Sequence, residues 1–363
     1  MLIALSDLWP HLQRQLFPLL ADELGPLGAR DRQFVQVVSL LPLGPLLLRY
    51  QWKGIGCPPH ARAWLLHAFL AKTVYGFATT ELLLDALRAR PTLRRRCGWD
   101  SLGDLPSAST FSRAFAQFAR DERPQQLHEL LIQARCGPRL VGHVSRAATA
   151  IEVRERPQPK PQPEPPPPRQ IGRPKKGEVR VPAPTKIEQQ KTRRLAENLA
   201  GLPRACDFGR KAGSKGCFAI WVGYKLHLDV IDGDIPVSAL LTSASGHDSQ
   251  AAIPLAQMTA RRVTSLYDLM DCAYDAPAIR EFSRALGHVP LIEPHPQRAA
   301  PGLLDPAQRR RFQERTAAER VNSRLKDQYG ARTVRVRGPL KVMAHLMFGV
   351  LVVSALALWA RDG

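Results

Sequence analysis

Apolar residues in the first part of the chain recur every three or four positions, the spacing of one face of an α-helix. RAWLLHAFLAKTVYGF and TTELLLDALRARP both carry this period. Thr79 or Thr80 can cap the second segment, with Glu81 and Asp85 near its start, and Pro91 ends it. LPSASTFSRAFAQFAR follows, with Ser107 or Ser109 as the cap. Phe111, Phe115 and Phe118 fall on one stripe there, and Arg113 and Arg120 lie away from it. Residues 1–136 therefore read as a helical N-terminal domain. A short helix, the turn GDLPS and a capped helix with outward arginines are compatible with a helix-turn-helix reader of DNA. A plain helical bundle with a Phe-filled core accounts for the same pattern and is the simpler reading.

After residue 136 the period changes. RLVGHVSRAATAIEVRE alternates in the manner of a strand, with a turn or break predicted near Ala147 and Ala148. KIEQQKTRRLAENLAGLPRA reads as one short polar helix, and CDFGRKAGSKG as a loop. FAIWVGYKLHLDVI and IPVSALLTSAS are strong strand signals joined by a DGD hairpin turn. A capped helix (GHDSQAAIPLAQMTARR), a buried-type strand ending in an acid (SLYDLMD), a helix (DAPAIREFSRALG) and a strand (VPLIEPHP) complete the series. The pattern predicts an α/β sheet with antiparallel neighbours and parallel additions.

RRRFQERTAAERVNSRLKDQYG then reads as one helix from Arg309, with Gly330 as its stop signal. With Arg315 at zero and about 100° per residue, Glu319 falls near about 40°, Lys326 near about 20° and Phe312 near about 60°. A ring, a guanidinium, a carboxylate and an ammonium thus share one narrow face. Ordinary i,i+4 pairing of Arg315 with Glu319, worth a few tenths of a kcal/mol, would also explain the charges. VMAHLMFGVLVVSALALWA, near the C-terminus, is almost long enough to span a bilayer. A buried terminal helix is the preferred reading, because nothing else in the chain is membrane-like.

Composition adds a partner. The net charge is +20 and the pI about 10.3, which suggests a polyanion, most often nucleic acid. The six cysteines are dispersed without a C-x-x-C pair, which argues against a zinc framework and a dense disulfide scaffold and fits a reducing, cytoplasmic setting. MLIALSDLWP has no basic n-region, so no signal peptide is expected. A Pro-rich basic insert at about residues 156–186 cannot build a packed core. Within it GRPKKG, with Arg173 and Lys175, is similar to short Arg-Pro hooks that lie in A·T-rich minor grooves, although a basic linker drawn to DNA without sequence choice explains it as well.

Strand-end acids are what a metal-dependent phosphoryl-transfer site needs, since carboxylates must bridge and flank the ions. Asp271 ends one strand and Glu319 lies on the late helix. A third acid should end the first strand near Ala147, where the sequence has none. Here the chain resembles a DDE transposase of a bacterial insertion sequence, of the group whose last acid sits in a Y-x2-R-x3-E-x6-K signature. Phe312, Arg315, Glu319 and Lys326 stand at those spacings, and LMDCAYDAPAIR resembles the segment around the second acid, placing it at Asp271. HVSRAATAIE resembles the strand that the family ends in Asp, a small residue and Thr, and aligning Thr149 puts that Asp on Ala147. WVGYKLHLDV resembles the family's second strand.

The resemblance implies a ribonuclease-H-like catalytic domain over residues 137–363, interrupted by the insert. It implies Asp271 and Glu319 as ligands of Mg²⁺ (or Mn²⁺), and Phe312, Arg315 and Lys326 on the DNA backbone. The partners it implies are terminal inverted repeats and target DNA, met as a dimer on paired ends. It further implies that Arg315 and Glu319 are held apart by their separate tasks. Phe312 in place of Tyr keeps stacking and loses a hydroxyl. Ala147 in place of Asp predicts poor cleavage, unless Glu152 or Asp229 takes that role. His227 and His345 read as satisfied structural histidines, Asp248 and Asp275 as helix caps, and Asp229 and Asp234 as turn residues. Lys225 reads equally as a DNA contact or an exposed surface residue.

Overall fold

The structure is a computed structural model that describes residues 27–43, 60–159, 183–212, 217–294 and 304–362. Arg173 and Lys175 lie outside the described residues. Helices α1 (Ala29–Leu40), α2 (Arg62–Tyr75), α3 (Thr80–Ala89), α4 (Pro91–Cys97), α5 (Ala108–Arg120) and α6 (Arg123–Cys136) precede the sheet. The caps fall where side chains can satisfy the free N–H groups of a first turn. Thr79 accepts from Leu82 N and Ser107 from Thr110 N. Ten residues, 98–107, separate α4 from α5, which is longer than the three- or four-residue turn of a compact helix-turn-helix. The Phe stripe of α5 packs inward instead. Phe69 of α2 meets Phe111, Phe115 and Phe118 with ring centroids 5.8, 5.3 and 6.2 Å away.

The sheet holds β1 (Leu140–Glu152), β2 (Asp207–Ala212), β3 (Phe218–Ile231), β4 (Ile235–Ser243), β5 (Thr264–Met270) and β6 (Val289–Ile292), in the order β2-β3-β1-β5-β6 with β4 also on β3. β1 runs antiparallel to β3 and parallel to β5, and β5 parallel to β6. β1 is unbroken, so the break predicted at Ala147–Ala148 is absent; Ala147 pairs with Leu228 and Ala148 with His227. The segment predicted as a loop after Cys206 is β2, whose Asp207–Gly223 to Ala212–Phe218 register fills the outer edge of the first half of β3. The second half of β3 takes β4 on that edge. Gly223 marks the switch. Its φ is 149°, and a Cβ there would lie 2.1 Å from the Ile151 carbonyl oxygen.

The predicted single polar helix is two, α7 (Lys186–Gln190) and α8 (Leu195–Ala200). Asn198 Nδ2 fills the gap between them by donating to the Gln190 carbonyl, at 2.9 Å. α9 (Ser249–Ala260), α10 (Pro277–Ala285), α11 (Pro306–Gln313), α12 (Thr316–Gln328) and α13 (Pro339–Asp362) complete the chain. α13 is the apolar segment near the C-terminus. It is long and apolar enough to cross a membrane by length and composition, yet 78% of its most apolar window is buried. It packs on α6, β4, α1, α5 and α2, and one contiguous hydrophobic core joins the N-terminal helices, α13 and one face of the sheet. Each large apolar side chain it buries contributes about 1.5–3 kcal/mol.

Candidate active-site cleft

β1 sorts its side chains between two faces by the period of two. Ser145 and Ala147 face α12, and Arg146 faces α9. The last parallel pair between β1 and β5 is Arg146 with Met270. Ala147 and Asp271 are thus the next positions along neighbouring strands, about 5 Å apart in backbone. Asp271 leaves its strand extended, and its Oδ1 accepts from Ala273 N at 2.9 Å. Burial raises its carboxyl above the ordinary range, the Ala273 N–H and the Arg315 charge oppose that, and Asp248 and Glu293 add to it.

Around Asp271 opens a cleft of about 1110 Å³. Ala148, Thr149 and Ala150 of β1 form one wall, and Arg210, Lys211 and Trp221 of the β2–β3 hairpin another. Lys225, Asp248 and Lys326 reach in as well. Lys225 is neither free nor simply exposed, since its Nζ donates to Gly246 O at 2.9 Å and to Asp248 Oδ1 at 2.8 Å. Asp248 stands at the N-cap of α9, as the sequence suggested, but its side chain makes no cap bond; Asp275 is held by Arg280 Nη2 at 2.9 Å, and Ala276 rather than Asp275 is the N-cap of α10. Lys326 has its ammonium disfavoured by burial first and then by Arg332 and Lys211, against an opposing pull from Glu152.

The predicted late helix is two helices. The chain turns at Glu314–Arg315, where Glu314 N and Arg315 N bond three residues back to Arg311 O and Phe312 O. The cause is a side chain inserted into the helical ladder. Ser145 Oγ donates to Arg315 O and accepts from Ala318 N, so β1 supplies the partners that helix continuity would have given. Ser145→Ala removes both bonds, leaves the first-turn Ala318 N–H without this partner in a buried place, and is expected to cost about 1–3 kcal/mol. A lower urea midpoint with an unchanged slope is the result that checks it.

The break keeps Phe312 near Arg315, with the guanidinium carbon 5.7 Å from the ring centroid. Arg315 Nη1 lies 2.8 Å from Glu319 Oε1, so the two are joined rather than held apart. The i,i+4 spacing brings them into reach, and among the described residues no second partner draws the half-exposed Glu319 away. Lys326 stands apart from this trio and belongs to the cleft wall.

Of the three positions that the sequence assigned to a shared two-metal site, Asp271 lines the cleft, while Glu319 and Ala147 are not among its lining residues. Glu319 is paired with Arg315, and Ala147 offers only a methyl group. Among the described residues no cluster of three or more His, Cys, Asp or Glu is placed to hold a metal ion. The residues present therefore do not fit a two-metal centre. Neither substitute acid fills the gap. Asp229 is fully buried in β3 and bound by Arg146, and is not a turn residue. Glu152 is exposed at the end of β1, opposite Gly223. Asp234 does lie in the β3–β4 turn, at φ 59°, where Arg320 grips it with Nη2 2.7 Å from Oδ1. His227 is buried and His345 half-buried, each bonded, to Thr242 Oγ1 at 2.8 Å and Gly330 O at 3.0 Å, and desolvation lowers each to about 4.

Arg210, Lys211 and Trp221 escape a reading built on acids. The basic run GRKAGSKG was their signal, and it becomes informative only once β2 is seen to pair with β3. Residues 187–354 match the family model described as Transposase DDE domain, and residues 27–117 match that described as Transposase domain (DUF772). The first match begins after β1, so Ala147 lies outside it. No curated protein and no solved structure matches the chain.

Proposed function

We propose, from its two family matches, that this chain is a transposase of the DDE type that binds insertion-sequence ends and cuts them poorly as it stands. The observation that carries this reading is the cleft around Asp271. It combines a strand-end carboxylate with Arg210, Lys211, Lys225 and Lys326 in a protein of net charge +20. Such a wall suits a sugar–phosphate backbone, and the acid marks where a scissile phosphate would sit. The mixed sheet with the parallel β1–β5–β6 edge and antiparallel β3 supports a ribonuclease-H-like catalytic domain over residues 137–363. The helices of residues 1–136 would take part in holding the terminal inverted repeats. Arg113 and Arg120 are exposed on α5 for that purpose.

Strand cleavage and strand transfer in this family generally depend on divalent metal. In an intact site of this kind Asp271 and Glu319 would hold Mg²⁺, a site that the residues present do not complete; we assign Arg315, Lys326 and Phe312 to the DNA backbone near the cut, and a dimer on paired ends as the working unit. A second reading is a non-catalytic relative that acts as a repressor of its own element. The Arg315–Glu319 pair and Ala147 favour it, because a repressor needs the basic surface and none of the acids.

Fluorescence anisotropy tests the shared part of both readings. Duplex DNA carrying the flanks of the encoding gene is expected to bind, with log K falling linearly in log salt at a slope of several units, about 0.9 for each phosphate neutralised. A salt-independent affinity, or none at low salt, would sink the reading.

A further inference from the structure

Lys326 lines two spaces at once. One is the Asp271 cleft. The other is a cavity of about 440 Å³ between the end of α12 and helices α2, α5 and α13, within the range of about 300–1,000 Å³ usual for ligand sites. Its floor is aromatic. Phe69, Phe115 and Phe348 pack there with centroids 5.3–6.3 Å apart. Its polar lining is cationic, with Arg30, Lys72, Lys326 and Arg332. The one acid lining it, Asp327, is already engaged by Arg332 and by Ser323 Oγ at 2.9 Å.

Lys72 and Lys326 are both half-buried, and among the described residues neither has a hydrogen bond or ion pair. Burial works against the Lys72 charge, Glu81 opposes that, and Arg335 adds to it. Two half-buried ammonium groups that no carboxylate contacts, beside an apolar floor, leave room for an anion. His345, neutral near pH 7 and bonded to Gly330 O, adds no charge of its own.

We propose that this cavity is a second DNA-backbone subsite. A strand that crosses the Asp271 cleft continues past Lys326 and seats a phosphate among Lys72, Arg30 and Arg332, with its sugar and base edge against the phenylalanines. That Lys326 lines both spaces, in a protein of net charge +20, is what favours a polymeric anion over a free one. The inference rests on the DNA-binding reading above. It adds that the helices of residues 27–117 and α12 hold the strand jointly.

The test compares Lys72→Met, which keeps the length of the side chain and removes the charge, with Arg139→Gln. Arg139 is exposed just before β1, at the opposite end of that strand from the cleft. Anisotropy is read on the duplex above at about 50 and about 200 mM salt. Losing one seated phosphate lowers the slope by about 0.9, so the affinity ratio between those salts shrinks about 3.5-fold in Lys72→Met. Lys72→Arg should keep the parent ratio. A ratio in Lys72→Met equal to that of Arg139→Gln overturns the subsite while DNA binding stands. Failure of the parent protein to bind DNA overturns both.

Discussion

Replacing Ala147 with Asp is expected to raise Mg²⁺-dependent nicking of duplex DNA by about 10²-fold or more over the parent chain. A restored carboxylate is asked for only a few kcal/mol of transition-state stabilisation, and each 1.4 kcal/mol is tenfold. The position is right for it. Ala147 follows the last β1–β5 pair, at the position next to Asp271 on the neighbouring strand, and directly precedes the cleft residues Ala148, Thr149 and Ala150. The same geometry predicts a cost in the absence of metal. Ala147 is only 6% exposed and packs in the core cluster that holds Ala317 and Ala318. A carboxylate entering that wall without a counter-ion is destabilising. Ala147→Asp should therefore melt below the parent in EDTA and recover with Mg²⁺, while the parent shows no response to Mg²⁺. Ala147→Asn has the size without the charge and should gain neither activity nor the metal response. A folded Ala147→Asp protein that binds DNA and nicks no faster than the parent would leave the repressor as the function.

What the sequence made legible follows from which interactions are local. The helices of residues 60–136 were readable because caps at Thr79 and Ser107 and a 3.6-residue apolar period are both short-range signals. So was the burial of α13, whose apolar residues run all round the helix. β2 was not readable. Its residues, DFGRKA, carry little strand propensity, and their conformation comes from pairing with β3 across a gap that propensity cannot see. The unbroken course of β1 through Ala147 and Ala148 has the same origin, since β3 on one side and β5 on the other hold two residues that favour helix. At the site, the spacing of Phe312, Arg315 and Glu319 located a real cluster. Its pairing of Arg315 with Glu319 is the i,i+4 contact the sequence also offered, whereas the bend beside it meets Ser145, 170 residues earlier in sequence and out of reach of any local signal.

Asp229→Ala is expected to destabilise the protein by about 3–5 kcal/mol, the cost of stripping the partner from a buried charge. Arg146 and Asp229 sit opposite each other on β1 and β3. Their contact is bidentate, with Nε 2.8 Å from Oδ1 and Nη2 2.7 Å from Oδ2. Thr259 Oγ1 of α9 adds a third bond to the carboxylate at 2.6 Å. Burial works against the guanidinium, and Asp229 with Asp268 outweighs it, holding Arg146 above its ordinary range. Removing Asp229 leaves that charge facing α9 with the more distant Asp268 as its nearest compensation. The double replacement Arg146→Met with Asp229→Leu removes both charges and should return to within about 1–2 kcal/mol of the parent, as apolar substitutes for buried pairs commonly do. Urea unfolding of the parent, Arg146→Met, Asp229→Leu and the double replacement measures the coupling. The same series decides the last alternative for the missing acid. If Asp229 were a site carboxylate, Asp229→Ala would change stability little and would abolish the Mg²⁺ response of Ala147→Asp. A loss of several kcal/mol would make it instead the brace that fixes β1 against β3 and so sets where position 147 stands.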